Sequence, residues 1–262
     1  MRSVSVAAAV LALITLCGCH AQGSYSAGRL SAWHQVAAPK EGSAEMHQAS
    51  FSRQEWGVTL AQEQPYASLL NRGERHADLP FLLPVNADYR GRQFAVRVAD
   101  GWLVGFNAGE WGGHLWWFSP DGRKRYKVSD DQTTGFVQTP MGLLAPEGLA
   151  HLSLSRGKII RLTRTAQGRW QSADFAALGD APSAAALDAD GSLVVITTRK
   201  LVRVLPTGEV ILLQNGVWWG LYPNSMVRNG AGDFYVGMRC YVVRVSTSPA
   251  GTRLDWLLPP KR

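Results

Sequence analysis

Glycine recurs in this chain with a period that limits the architecture more than any other feature. Gly101 in VRVADGWLVGF, Gly148 in LLAPEGLAHLSL, Gly191 in LDADGSLVVI and Gly232 in RNGAGDFYVGM stand 41 to 47 residues apart. A second series, Gly122, Gly168, Gly208 and Gly251, repeats every 40 to 46 residues. Pro140, Pro182 and Pro223 precede the last three members of the first series by eight or nine residues. A two-residue hairpin turn needs positive φ, which a Cβ opposes, so Asp-Gly at 100–101, 121–122 and 190–191 marks tight turns. Between the turns, LWWF, IIRLT, LVVIT and VVRV read as strands. Each period then holds four antiparallel strands in about forty residues, the size of a propeller blade. One such sheet alone would leave both faces exposed, so neighbours must stack on it. Four copies fall near 93–129, 136–175, 182–214 and 223–258. The expectation is an all-β chain, a β-propeller of four to five four-stranded blades.

The rest of the chain is less regular. A length of 262 residues suits one large domain or two small ones. Residues 51–92 hold FSRQEWGVTLAQEQPYASLLNRG, either a short helix interrupted by Pro65 or a degenerate blade. LPFLLPVN, 79–86, carries two prolines and reads as an edge or connecting strand. Residues 19–50, small and polar without a clear period, read as a flexible tether. A formal charge of +7 is spread in pairs such as Arg123-Lys124 and Arg199-Lys200, with no long basic block. That pattern is a solvated surface and argues against nucleic-acid binding.

The opening MRSVSVAAAVLALITLCGCH has an early arginine, then an apolar run too short for a stop-transfer helix, and reads as a secretory signal. Its end, Leu16-Cys17-Gly18-Cys19, resembles the lipobox of bacterial lipoproteins. The resemblance implies removal of residues 1–18 and lipidation of Cys19, hence a membrane anchor in the cell envelope. His20, where aspartate would favour the inner membrane, implies the periplasmic side of the outer membrane in a Gram-negative host. Cys17 departs from the usual Ala, Ser or Thr, and cleavage after Ala21 is the competing reading. After lipoprotein processing only Cys240 remains free, so no intramolecular disulfide forms unless Cys19 is unmodified. Cys240, between apolar runs, reads as a small buried hydrophobe.

PSAAALDADGSLVVIT and PNSMVRNGAGDFYVGM resemble the repeat of NHL and gluconolactonase-type β-propellers, in which proline begins the innermost strand. The gluconolactonase resemblance implies a divalent cation such as calcium, held by Glu, Asn and Asp from different innermost strands. Only Asn224 matches such a place. Glu147 in PEG resembles the Glu-Gly signature, but the repeat alignment puts it on the opposite face. Glu110 and Asp130 complete a conceivable oxygen-donor set.

In a propeller the strand 2–3 loops and the blade connections share one face. That face is expected to carry residues 107–114, 129–135, 155–158, 178–181, 197–200, 215–224 and 238–240. Trp111, Trp218, Trp219 and Tyr222 would serve as flat binding anchors there, weighed against packing between blades. Arg156, Arg199, Lys200 and Arg239 would surround them, with Glu110, Asp130, Asp131 and Asp180 adding carboxylates. Trp116 and Trp117 lie in a strand and read as core. His114 and His151 read as satisfied strand-associated residues, and no G-x-S-x-G occurs. The expected function is a lipid-anchored envelope binding module without a cofactor, taking an envelope or secreted protein partner or inhibiting an enzyme. The alternative is a metal-dependent lactonase or esterase-like hydrolase; glycan binding through the tryptophans is a third reading.

Overall fold

A computed structural model describes residues 27–70, 76–216, 218 and 220–260. The signal peptide, the lipidation site Cys19, the cleavage site after Ala21, and Trp219 lie outside the described residues. The described chain enters through β1 (Gly28–Arg29) and β2 (His34–Val36), forms helix α1 (Ala44–Phe51), and continues as the hairpin β3 (Trp56–Ala61) and β4 (Gln64–Leu69). Four meanders follow. The first is β5 (Arg92–Val98), β6 (Gly101–Asn107), β7 (Gly113–Phe118) and β8 (Arg125–Ser129). The second is β9 (Val137–Thr139), β10 (Gly142–His151), β11 (Leu154–Arg164) and β12 (Trp170–Ala177). The third is β13 (Pro182–Leu187), β14 (Leu193–Thr197), β15 (Lys200–Val204) and β16 (Val210–Asn215). The last is β17 (Ser225–Arg228), β18 (Phe234–Gly237), β19 (Val242–Ser248) and β20 (Gly251–Leu258).

These strands make the five blades of a β-propeller. Blade I is β3, β4 and β1; blades II, III and IV are the first three meanders; blade V is the last meander with β2 added at its outer edge. Strands β9, β13, β17 and β3 neighbour one another around the axis. Residues 51–92 therefore contain the degenerate blade and not the helix, with Pro65 inside β4. Residues 79–86 form no strand. Instead Leu79, Phe81 and Leu83, with Tyr89, cover the face of blade II formed by Val104, Phe106 and Phe118.

Strand alternation places apolar residues on both faces of the inner strands, and clusters fill each seam. Leu103, Leu115, Leu143 and Ile160 join blades II and III. Leu144, Ile159, Val195 and Val202 join III and IV. Val194, Ile196, Phe234 and Val236 join IV and V. Trp56, Val58, Tyr235 and Val242 join V and I. Each such side chain contributes about 1.5–3 kcal/mol by leaving water. The turn aspartates add a second link. Asp188 accepts from Arg228 of blade V at 2.8 Å, and Asp100 of blade II accepts from Arg164 of blade III at 2.7 Å.

Three expectations need correction. Gly148 is not a hairpin corner. It pairs with Gly157 across β10 and β11, where residues 180–182 cross so closely that a Cβ on Gly157 would meet the Asp180 carbonyl at 2.4 Å. The corner of blade III is Gly142, with φ 111°. Consequently the β10–β11 hairpin tip is 152–153, and the expected loop 155–158 lies within β11. The expected flexible tether is ordered from residue 28 onward. β1 pairs with β4, β2 pairs with β20, and the Ser43 hydroxyl caps α1 by accepting from the Met46 amide at 3.1 Å. Cys240 is fully buried as expected, but it is disulfide-bonded, so the thiol expected to stay free is not.

Candidate functional site at the channel mouth

Helix α1 lies over the β18–β19 end of blade V. Met46 and Ala49 pack with Met238, Cys240 and Tyr241, and the Tyr241 hydroxyl donates to Glu45 at 3.0 Å. Burial, followed by the Glu45 carboxylate, pushes the Tyr241 phenol well above its ordinary range. The loop 238–240, expected to be open, is therefore covered.

The rest of the loop face opens into a cavity of about 590 Å³ where blades II to V converge. Ligand pockets typically span about 300–1,000 Å³. Its walls include Phe94 and Asn107 from blade II, Leu149 from blade III, Pro182 and Thr198 from blade IV, and Tyr222 from the connection into blade V. Exposed apolar side chains stand at or beside the opening: Trp111 (78 % exposed), Leu152 (82 %) and Tyr222 (57 %).

Tyr222 is held in place by its surroundings. Its φ of 52° is a strained conformation for a non-glycine residue, costing on the order of 1–3 kcal/mol. The Arg239 guanidinium stacks on its ring at 3.8 Å and pairs with Glu55 at 3.0 Å, and the same guanidinium donates to the Ser50 carbonyl. Arg239 is thus the underside of an aromatic platform and not part of an open basic ring. Glu110 and Trp111 lie on the 3-10 turn Gly109–Trp111. Asn107 accepts from the Gly109 amide at 3.0 Å, and Gln132 donates to the Gly109 carbonyl at 2.6 Å. So placed, Glu110 reaches His151 of blade III at 2.8 Å.

The other expected residues separate. Trp218 is 1 % exposed and donates from its indole nitrogen to the Thr197 carbonyl at 2.9 Å, so it is core and not a surface anchor. Arg156 leaves the expected basic ring as well. It donates to Glu147 and to Gln132, each at 3.2 Å, at the seam of blades II and III. Arg199 is exposed at the β14–β15 turn. Asn224 has its Oδ1 accepting from Ser225 at 2.8 Å, and its Nδ2 is buried without a partner. The conceivable metal set does not form one site. Glu110 is engaged by His151, and Asp130 lies beside His114 at 2.8 Å and Lys127 at 2.9 Å. Lys127, then His114, holds the Asp130 carboxyl below its usual range. Among the described residues no three His, Cys, Asp or Glu side chains gather as a metal-holding group.

Two participants were not legible as such. His151 lines the cavity, and its partner Glu110 belongs to a different blade. Glu147 is not on the opposite face but in the middle of β10, 4 % exposed, with Oε2 lacking a partner. Burial pushes its carboxyl above the ordinary range, against the pull of Lys158 and Arg156. A carboxyl raised in the fold contributes stability that is present at acid pH and lost as pH rises through its folded titration. Glu147→Gln is therefore expected to raise Tm at pH 7 relative to the parent, the difference vanishing near pH 3.5. Thermal melts at the two pH values check this, and a Tm lowered at pH 7 would contradict it.

No protein-family model matches the chain, and no curated protein matches it in sequence. Solved structures do resemble it. Inactive H270A virginiamycin B lyase from Staphylococcus aureus, solved with quinupristin, is 14% identical over 88% of this chain and 75% of that one, with a TM-score of 0.45. TolB from Acinetobacter baumannii is 15% identical over 81% of this chain and 53% of that one, with a TM-score of 0.45. A putative gluconolactonase is 14% identical over 91% and 83%, with a TM-score of 0.42.

Proposed function

We propose that this chain is a binding module of the cell envelope that holds a protein partner at the channel mouth. The observation that carries the reading is the cavity of about 590 Å³ flanked by exposed Trp111, Leu152 and Tyr222. Rigid aromatic side chains beside a pocket are the usual energetic anchors of an interface. The clamp of Glu55 and Arg239 under Tyr222 favours the same reading, because a platform ordered before binding loses little entropy on capture.

The test is purification of the full chain from native membranes. A protein that co-elutes with the parent is expected to be lost with Trp111→Ala/Tyr222→Ala, at unchanged Tm. Retention of the partner by the double variant overturns the reading. In the same preparation non-reducing peptide mapping is expected to find Cys240 in a disulfide, and a free Cys240 thiol together with a diacylated Cys19 would contradict that bond.

The hydrolase alternative is favoured by one observation, the pairing of His151 with Glu110 at the cavity wall. It does not draw on the donor set Glu110, Asp130 and Asn224.

A further inference from the structure

We infer that a chamber at the seam of blades I and V binds a small organic carboxylate with a flat apolar body, with Arg29 as the charged contact. The site lies on the face opposite the channel mouth and does not rest on the function proposed for that mouth.

The chamber exists because residues 28–36 bridge two blades. β1 is the outer strand of blade I, β2 is the outer strand of blade V, and the 3-10 turn Leu30–Ala32 carries the chain between them. Under this bridge lies a cavity of about 270 Å³. Asn229 belongs to the first hairpin turn of blade V and Gln64 follows that of blade I, which puts the cavity on the face of the glycine corners. Its apolar lining is Leu30, Trp33, Pro65 and Leu257, with the ring of Tyr235. The volume falls just below the range of about 300–1,000 Å³ typical of drug-sized ligands, so the occupant is smaller.

The polar groups of the lining favour a negative charge. Two guanidiniums, Arg29 and Arg244, belong to it, and no carboxylate does. Arg244 donates from Nε and Nη2 to Asp255, which offsets its charge. Arg29 is exposed and among the described residues has no ion-pair partner, so it supplies the net charge of the wall. Asn229 accepts from the Asp233 amide through Oδ1 at 2.8 Å, which leaves Nδ2 to donate. Trp33 is 7% exposed, and its indole nitrogen is buried without a partner. An unpaired buried donor is costly, and a negative group in the chamber lowers that cost. Burial, against the pull of Arg244, holds the Tyr235 phenol above its ordinary range, so it adds no negative charge at neutral pH. A carboxylate matches the fork of a guanidinium, and a flat body matches the aromatic floor. One net positive charge suits a monoanion better than a phosphate, which carries more charge at neutral pH.

The experiment is isothermal titration of the purified full chain, at low salt, with sodium benzoate, benzamide or inorganic phosphate. Benzoate is expected to bind one to one with a Kd on the order of 0.1–1 mM, the scale for so few atoms. Benzamide keeps the ring without the charge and should bind about 10-fold more weakly or worse, as should phosphate, which lacks the ring. Arg29→Gln should weaken benzoate about 10-fold or more at unchanged Tm, the scale of one charged hydrogen bond. Arg123→Gln, at a side chain 87% exposed on blade II, should leave the affinity unchanged. Benzoate that fails to saturate by about 10 mM, benzamide or phosphate binding as tightly as benzoate, or an Arg29→Gln chain that binds like the parent overturns the proposal.

Discussion

Trp218→Ala is expected to cost about 3–5 kcal/mol of unfolding free energy, the range for truncating a buried aromatic side chain. The indole is 1% exposed and packs in the cluster of Leu221, Met226, Met238 and Tyr241 between blades IV and V. Its nitrogen donates to the Thr197 carbonyl, which belongs to a fully buried residue, so truncation removes a hydrogen bond as well as packing. The neighbouring chain is fitted to the ring. A Cβ on Gly216 would lie 2.0 Å from indole atoms, closer than any real contact. Little room exists for the surroundings to collapse into the space left behind. Urea denaturation measures the effect, and a loss below about 1 kcal/mol would contradict the packed assignment. Trp111→Ala, at a residue 78% exposed, should by contrast stay within about 0.5 kcal/mol of the parent.

Asp255→Ala is the second large effect, about 2–4 kcal/mol. The Asp255 carboxylate is buried and accepts from Arg244 at 2.6 and 3.0 Å and from Gln35 at 3.0 Å, with Arg253 at 3.2 Å. Asp255 also holds the Arg244 guanidinium above its ordinary range. Removing one member of a fully buried pair costs about 3–5 kcal/mol, because the other charge is left without compensation. Arg244 is about one third exposed, so solvent recovers part of that penalty. The double variant Asp255→Ala/Arg244→Met should be less destabilised than the sum of its singles. Additive losses in a denaturant series would show that the pair does not act as a unit.

The repeat was readable because hairpin corners obey local sterics. Gly191 and Gly232, at φ 83° and 94°, occupy the positive-φ positions that their turns demand. Gly148 was misread because its glycine answers to a different constraint, lateral clearance for the chain entering blade IV. β1 and β2, two and three residues long, are too short to carry any periodicity, so their pairing was invisible. The tryptophans show the same limit. Trp111 and Trp218 both lie in loops of the expected binding face, yet α1 and the inner strands of blade V bury one and leave the other in water. His151 could not be separated from an ordinary strand histidine, since its significance lies in a carboxylate from a neighbouring blade. Local rules placed the blades; contacts between distant residues decided which loop side chains meet.

The edge pairing of His34–Val36 with Trp256–Leu258 has a consequence for assembly. Gln35 and Asp255, which bond beside that edge, are 220 positions apart. Residues 34–36 leave the ribosome well before the strand they pair with and must wait for it before they find their place. A nascent chain lacking the final strand has no template for residues 34–36, and closing so long a loop is a slow, entropically opposed event. Blade V is therefore sealed only after residues 256–258 have emerged, by a clasp whose two halves lie more than 200 positions apart.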